Sequence, residues 1–315
     1  MRILVVGAGA IGGYFGGRLL AAGRDVVFLV RARRAAQLAQ TGLVIRSPLG
    51  DASIAAPLVV VADQLREPFD LILLSCKAYD LAAAVDSFAP AVGANTAILP
   101  LLNGMAHLDL LAARFGRRAV LGGLCVISAT LDAEGRILHL NNAHLLSFGE
   151  QDGVVSARGE AIAAALSGAG FDWRFSEAIL QEMWEKWTTI AAAAGINCLM
   201  RAAVGDIVAA GAAPLALALI DECCALAAAH GFPPRQASKK FTQTMLTAPG
   251  STLMASMLRD IERGAPIEAD HVIGDLIRRG EAQLPQMALL RIAYAHMRAY
   301  EARRARETAV EPAKG

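Results

Sequence analysis

The sequence carries no excess of charge of either sign: 30 Lys and Arg stand against 29 Asp and Glu over 315 residues, a formal net charge of +1. No global field therefore favours nucleic acid or an acidic membrane, and any attraction for an anionic ligand must be local. Cysteine pairs are missing as well. Cys76, Cys125, Cys198, Cys223 and Cys224 form no CxxC and are odd in number, which argues against a disulfide framework and fits reduced thiols in a cytoplasmic protein. The six histidines, His107 and His271 among them, make no HExxH or related ligand spacing, so they read as surface or core residues and no metal is expected. Long apolar runs are also lacking. Residues 207–220 contain Pro214, end at Asp221-Glu222 and are too short to span a bilayer, so no membrane partner is expected. Arg2 and the apolar residues after it superficially suggest a signal peptide, but glycines at 7, 9, 12 and 13 interrupt the run and favour a strand.

What is present is organised around the first 31 residues. The apolar run Ile3-Leu4-Val5-Val6 leads into Gly7-Ala8-Gly9-Ala10-Ile11-Gly12, then a helix-like stretch to Gly23, then Val26-Val27-Phe28-Leu29-Val30 and Arg31. A strand before GxGxxG and a helix after it is the context of a dinucleotide fingerprint. The first glycine makes the tight turn, the second lets backbone approach a pyrophosphate, and the third lets helix pack on strand. Gly7, Gly9, Ala10, Ile11 and Gly12 are thus the expected phosphate cradle. An NAD site places an acid about twenty residues on, where it bonds the ribose 2′-hydroxyl. Here the residue nineteen after Gly12 is Arg31, followed by Arg33 and Arg34, with no acid after Asp25. A guanidinium suits a 2′-phosphate, so the spacing predicts NADP.

Strand and helix signals alternate onward: a helix over 33–40, a small hairpin or loose strand pair in 43–61, strands at 71–75 and 97–102, and helices to about 89 and 114. This predicts a Rossmann-type, doubly wound parallel sheet. From residue 120 a hairpin over 120–131 and 136–140, a strand at 144–148 and a helix over 155–169 are expected. Beyond Glu177 only helical periodicity remains, over 179–199, 213–230, 235–246 and 269–299 with a break near Pro285. The expected division is a nucleotide-binding α/β domain over 1–176 and an all-α substrate and catalytic domain over 177–315. The last fifteen residues, of mixed charge, are expected to fray.

Ligands in open α/β sheets bind beyond the carboxyl ends of the strands, a rim where Lys77 and Asn103 fall together with the fingerprint. In the helical half, Glu182-Met183-Trp184-Glu185-Lys186-Trp187 sets a lysine between tryptophans at the start of a long apolar helix. Hydride addition to a ketone creates an alkoxide, which needs a cation and a proton close at hand, and a lysine facing an interdomain cleft supplies both. Ser256 and Glu268 flank a Gly264-Ala265-Pro266 turn, and each by itself is an ordinary helix-surface or helix-start residue.

Taken in order, Gly7 to Gly13, Ser75-Cys76-Lys77, Leu102-Asn103-Gly104-Met105, Trp184-Glu185-Lys186, and Ser256-Met257-Leu258-Arg259-Asp260 followed by Glu268-Ala269-Asp270 make the chain resemble the ketopantoate reductase (2-dehydropantoate 2-reductase) family over essentially its whole length. The resemblance implies a Rossmann domain holding NADPH and a helical domain like the C-terminal bundle of 6-phosphogluconate dehydrogenase, with a small-molecule 2-oxo acid between them. It implies that Lys186 is the general acid and that Glu268 contacts cofactor and orders the Lys186 region. Ser256 would bind the substrate's polar groups, Asn103 would lie beside the nicotinamide ribose and the reacting carbonyl, and Lys77 and Arg31 would serve the adenosine side. The implied reaction is reduction of 2-dehydropantoate to pantoate in pantothenate biosynthesis.

One stretch departs from the family. Many members carry asparagines four and eight residues after the lysine, and here those positions are Ile190 and Ala194. Asn197 returns to the same face about 16 Å further along a regular helix, too far to grip the same small substrate unless the helix breaks at Gly195, and Thr189 is the nearer candidate hydroxyl. The alternatives are therefore a reductase for a more apolar 2-oxo acid and, from another class, a non-catalytic NADP-binding sensor. The apolar helical half permits a homodimer and equally a monomer.

Overall fold

The computed structural model describes residues 1–282 and 286–310. Its contacts divide into two units, Met1–Leu102 with His107–Leu180, and Asn103–Ala106 with Gln181 onward.

The first unit is built on strands whose apolar runs are buried on both faces, the pattern that parallel sheets require. Its elements are β1 (Arg2–Val6), α1 (Ala10–Ala21), β2 (Asp25–Leu29), α2 (Ala32–Thr41), β3 (Leu43–Arg46), β4 (Ala52–Ile54), β5 (Val59–Val60), β6 (Leu71–Leu74), α3 (Leu81–Phe88), β7 (Ala97–Pro100), α4 (Ala106–Phe115), β8 (Gly122–Leu131), β9 (Ile137–Gly149), α5 (Ala157–Leu166) and β10 (Asp172–Phe175). Strands β5, β2, β1, β6 and β7 pair in that order, all parallel. The order reverses between β1 and β6, which puts the topological switch point beside the fingerprint. A second sheet runs β10, β9, β3, β4, with β8 antiparallel to β9.

Helix α1 lies between the two sheets, and its small face explains how. A methyl group on Gly16 would come within 2.7 Å of Phe28 of β2, and one on Gly17 within 2.8 Å of Leu43 and Ile45 of β3. Ile3, Val5, Phe15, Leu19, Phe28, Ile45, Ile137, Leu146 and Phe148 join both sheets and α1 in one buried cluster.

Three expectations change here. Residues 137–149 form one continuous strand rather than two pieces, because β9 serves β8 on one side and both β3 and β10 on the other. The expected loose pair β3 and β4 is antiparallel as read, but it belongs to the second sheet, while β5 extends the first. Strand β10 escaped the sequence reading, because its half-exposed Asp-Trp-Arg-Phe becomes a strand only by pairing in parallel with residues 145–148.

The second unit is helical among the described residues: α6 (Ile179–Met200, from Gln181), α7 (Val204–Ala209), α8 (Ala213–Ala229), α9 (Gln236–Leu246), α10 (Ser256–Glu262), α11 (Asp275–Gly280) and α12 (Ala288–Val310). A π-helical turn, Asp270–Gly274, leads into α11. The expected break near Pro285 lies outside the described residues. Fraying over the last fifteen does not occur across 301–310, which continue α12, where Tyr300 and Arg304 donate to the Ala265 and Gly264 carbonyls. No described helix is long and apolar enough to cross a membrane.

Candidate active site

In the first unit, Gly7 takes φ of +95°, a conformation that side chains disfavour, and turns the chain out of β1. Ser75, just past β6, donates its hydroxyl to the Val6 carbonyl at 3.0 Å, and the Gly7 carbonyl also lies within reach at 3.3 Å. The first turn of α1 rests on this clamp: a methyl group on Gly12 would sit 2.1 Å from both the Gly7 oxygen and Ser75 Oγ. Gly9 faces open space, and no side chain caps α1. The first backbone N–H groups of the helix, which have no partner within it, therefore point at a clear approach for an anion.

The basic edge lies at the start of α2. Arg31 keeps three quarters of its side chain exposed and pairs with Asp80, whose hydrogen bond pushes the guanidinium pKa up. Arg34 donates to the Ala8 carbonyl at 3.0 Å and to Gln37, tying α2 to the fingerprint turn, and its burial lowers its pKa. A nucleotide fits this ground: a cradle closed to a Cβ at Gly12, open at Gly9, and edged by an exposed guanidinium. Lys77 follows Ser75 and caps the short turn that carries Asp80.

In the second unit, α6 is continuous through Gly195. Glu185 is buried, 7% exposed, and accepts from the Arg235 backbone N–H at 2.8 Å, from its Nε at 2.7 Å, from its Nη2 at 2.6 Å and from Gln181 at 3.1 Å. Burial alone would push this carboxyl up, but the Arg235 and Gln181 donors outweigh it and hold the pKa below the usual range. Arg235 is the N-cap of α9, so the pair fixes α9 onto α6. Trp184 stacks on His230 and Phe232, and Trp187 donates its indole N–H to the Val272 carbonyl at 2.7 Å. Between these anchored neighbours Lys186 is half-buried, with no hydrogen-bond or ion-pair partner among the described residues.

Asn103 and Glu268 meet around a residue that the sequence reading left as surface or core. The His271 ring is hydrogen-bonded to the Asn103 backbone and faces Glu268. It also packs at Gly104, where a methyl group would lie 3.1 Å from its Cδ2. Trp187 reaches the carbonyl next along from His271, so Asn103, Glu268 and the helix of Lys186 are tied into one unit.

Asn197 has another task. It is fully buried, donates to the Ala202 carbonyl at 2.8 Å and accepts from the Ala255 N–H at 3.0 Å, so its amide caps the entry to α10 instead of facing substrate. With α6 unbroken, three turns separate it from Lys186. Ser256, the first residue of α10, is exposed directly after that cap. Thr189 lies one turn from Lys186 and bonds the Glu185 carbonyl and the Thr242 hydroxyl, at 2.9 and 2.7 Å. Ile190 is half-buried and Ala194 is buried.

Ser75, Asp80, Arg235 and His271 were missed as contributors. Only Ser75 left a trace in sequence, as a polar residue ending a buried strand.

Comparison with known proteins shows the family. Residues 3–153 match the family model "Ketopantoate reductase PanE/ApbA", and residues 178–301 match "Ketopantoate reductase PanE/ApbA C terminal". The chain is 38% identical to the uncharacterized oxidoreductase YkpB of Bacillus subtilis, over 96% of this chain and 99% of that protein. It is 30% identical to a 2-dehydropantoate 2-reductase of Archaeoglobus fulgidus, over 89% of this chain and 91% of the relative. Among solved structures, a 2-dehydropantoate 2-reductase from Methylococcus capsulatus superposes with a TM-score of 0.85 at 30% identity, covering 96% of this chain and 98% of that one.

Proposed function

Given that this chain belongs to the ketopantoate reductase family, oxidoreductases acting on the CH–OH group, we propose that it uses NADPH to reduce a 2-oxo acid, 2-dehydropantoate first among them, yielding pantoate for pantothenate synthesis. The observation that carries this reading is Lys186, a half-buried ammonium without a partner among the described residues, on a helix immobilised by Glu185 and Trp187. Bound NADPH supplies the hydride that adds to the 2-oxo carbon. As negative charge develops on the carbonyl oxygen, the Lys186 ammonium stabilises it and transfers a proton to it, and the amine regains a proton from water. In this reading Asn103 binds the carbonyl and the nicotinamide ribose, Glu268 contacts cofactor and orders the lysine, and Ser256 takes the substrate's carboxylate end, with Thr189 as an added hydroxyl. Gly7, Gly9, Ala10, Ile11 and Gly12 hold the pyrophosphate, and Lys77 serves the adenosine side.

Arg31 would select the phosphorylated cofactor. Its exposed pair with Asp80 is of a kind worth at most about 1 kcal/mol, so exchanging that carboxylate for a 2′-phosphate costs little. Arg31→Ala is expected to weaken NADPH binding by about tenfold or more, the worth of a charge-assisted phosphate contact, and to leave NADH affinity nearly unchanged. Fluorescence titration with both cofactors measures this, and an equal loss for the two would remove the 2′-phosphate from Arg31.

Ile190 and Ala194 favour a second reading, in which the preferred 2-oxo acid is more apolar than 2-dehydropantoate. A pocket that lacks hydrogen bonds to a substrate hydroxyl gives up selectivity worth several powers of ten. The test is NADPH consumption with 2-dehydropantoate set against branched and aromatic 2-oxo acids. Turnover of 2-dehydropantoate with kcat/KM above the others supports the first reading; the reverse order supports the second, and no turnover of any 2-oxo acid overturns both.

A further inference from the structure

Histidine 271 has no part in the chemistry described above, yet it stands where two of the proposed site residues meet. It belongs to a π-helical turn, Asp270–Gly274, and single π turns inserted at a helix start often mark functional positions. The turn is held from three directions. Trp187 of α6 takes the Val272 carbonyl at 2.7 Å. Arg278 of α11 and Tyr294 of α12 both bond Asp270, Arg278 through Nη1 at 2.8 Å. A methyl group on Gly274 would lie 2.6 Å from Asp270 Oδ1 and 2.8 Å from the Tyr294 hydroxyl, so the turn has little room to shift. From this fixed base the His271 ring reaches the Asn103 backbone and closes against Gly104, whose φ of +77° makes the loop a tight turn.

We propose that His271 is a positioning residue for the reduction, holding the Asn103-Gly104 turn through its ring so that the Asn103 amide is presented together with Glu268. The inference rests on the reading of Asn103 and Glu268 as site residues. Chain connectivity alone would leave Asn103 on a four-residue excursion between Leu102 and His107, free to turn its side chain in several directions. The ring bond to its main chain fixes the backbone from which that side chain projects before any ligand arrives, and preorganisation of this kind raises affinity and rate by sparing part of the ordering cost.

The ring bond to Asn103 does not depend on the ring's charge, because the backbone bond itself favours the protonated form. Burial lowers the His271 pKa from its ordinary 6.5, against the opposing pull of Glu268, the Asn103 backbone, Asp275 and Asp270. The ring is therefore neutral at neutral pH. It gains its second proton only as pH falls below 6.5 toward the lowered value, and the N–H that meets Asn103 is kept, since that bond and the Glu268 carboxylate both favour the charged ring.

The test is a double-mutant cycle on the full chain, read by NADPH titration as well as by turnover. His271→Phe keeps the ring's bulk and removes its donor, and His271→Gln keeps a donor that does not titrate. His271→Phe is expected to weaken NADPH binding and lower kcat by on the order of tenfold, with the thermal midpoint close to the parent's, and to cause no further loss in an Asn103→Ala background. His271→Gln, which keeps a donor, is expected to recover most of both. Additive losses in the cycle, parental affinity in His271→Phe, or no recovery in His271→Gln would each overturn the proposal. Since the cycle is closed on cofactor affinity, it remains decisive if the parent reduces no 2-oxo acid, an outcome that counts against the proposed function alone.

Discussion

Replacing Lys186 with alanine is expected to lower kcat for 2-oxo acid reduction by about 10² to 10⁴-fold, the range supplied by a positioned general acid, while NADPH affinity changes by less than about threefold. The separation follows from where the residue stands. The phosphate cradle and Arg31 belong to the first unit, and Lys186 to the second. The side chains that immobilise α6, Glu185 and Trp187, do not involve the Lys186 side chain, so truncating it leaves the helix and its anchors in place. Lys186→Gln extends the test, because it can still donate a hydrogen bond but carries no charge and delivers no proton. Its kcat should resemble that of the alanine variant. Steady-state kinetics with saturating NADPH, together with fluorescence titration of the cofactor, separates the two quantities, and parental turnover in either variant would take Lys186 out of the mechanism.

Adding a single methyl group at Gly12 is expected to weaken NADPH binding by about 100-fold or more. The built Cβ lies 2.1 Å from the Gly7 carbonyl oxygen and from Ser75 Oγ, far inside contact distance; the first is backbone, and the second can turn away only by giving up its bond to the Val6 carbonyl. Overpacking of this kind costs about 1–3 kcal/mol and forces backbone to move. What moves is the turn itself, which carries the N–H groups that would face the pyrophosphate. Ser75→Ala alone removes the clamp hydroxyl and is expected to cost only about 1 kcal/mol of stability, the worth of one hydrogen bond. Combined with Gly12→Ala it relieves one of the two overlaps and leaves the other, so it restores affinity in part. NADPH titration and thermal unfolding of the three variants measure both effects, and undiminished affinity in Gly12→Ala would place the dinucleotide elsewhere.

These two residues were legible in the sequence for different reasons. Gly12 is defined by spacing within a few residues and by a strand before it and a helix after, all of which are local. Lys186 was legible by its setting between tryptophans on an apolar helix and by family resemblance. The environment that makes it usable was not. Glu185 meets Arg235 fifty residues later, and nothing in either segment announces the other. Asn197 shows the same limit in reverse. Its helical register placed it on the face of Lys186, yet Ala202 and Ala255 claim its amide, because a buried polar group takes the backbone partners it can reach.

The sequence by itself determined the parallel α/β unit and the helical unit, the glycine turn after β1 and the basic residue after β2, since hydrophobic period, glycine spacing and the position of Arg31 act over a few residues. Only the tertiary structure decided that α1 lies between two sheets, that β9 runs unbroken with β10 beside it, that Ser75 clamps the turn, and that His271 joins Asn103 to Glu268. Each of these depends on segments distant in the chain. Such a pairing leaves no periodic trace in either partner, because it is fixed by shape and hydrogen bonding after the local elements have formed.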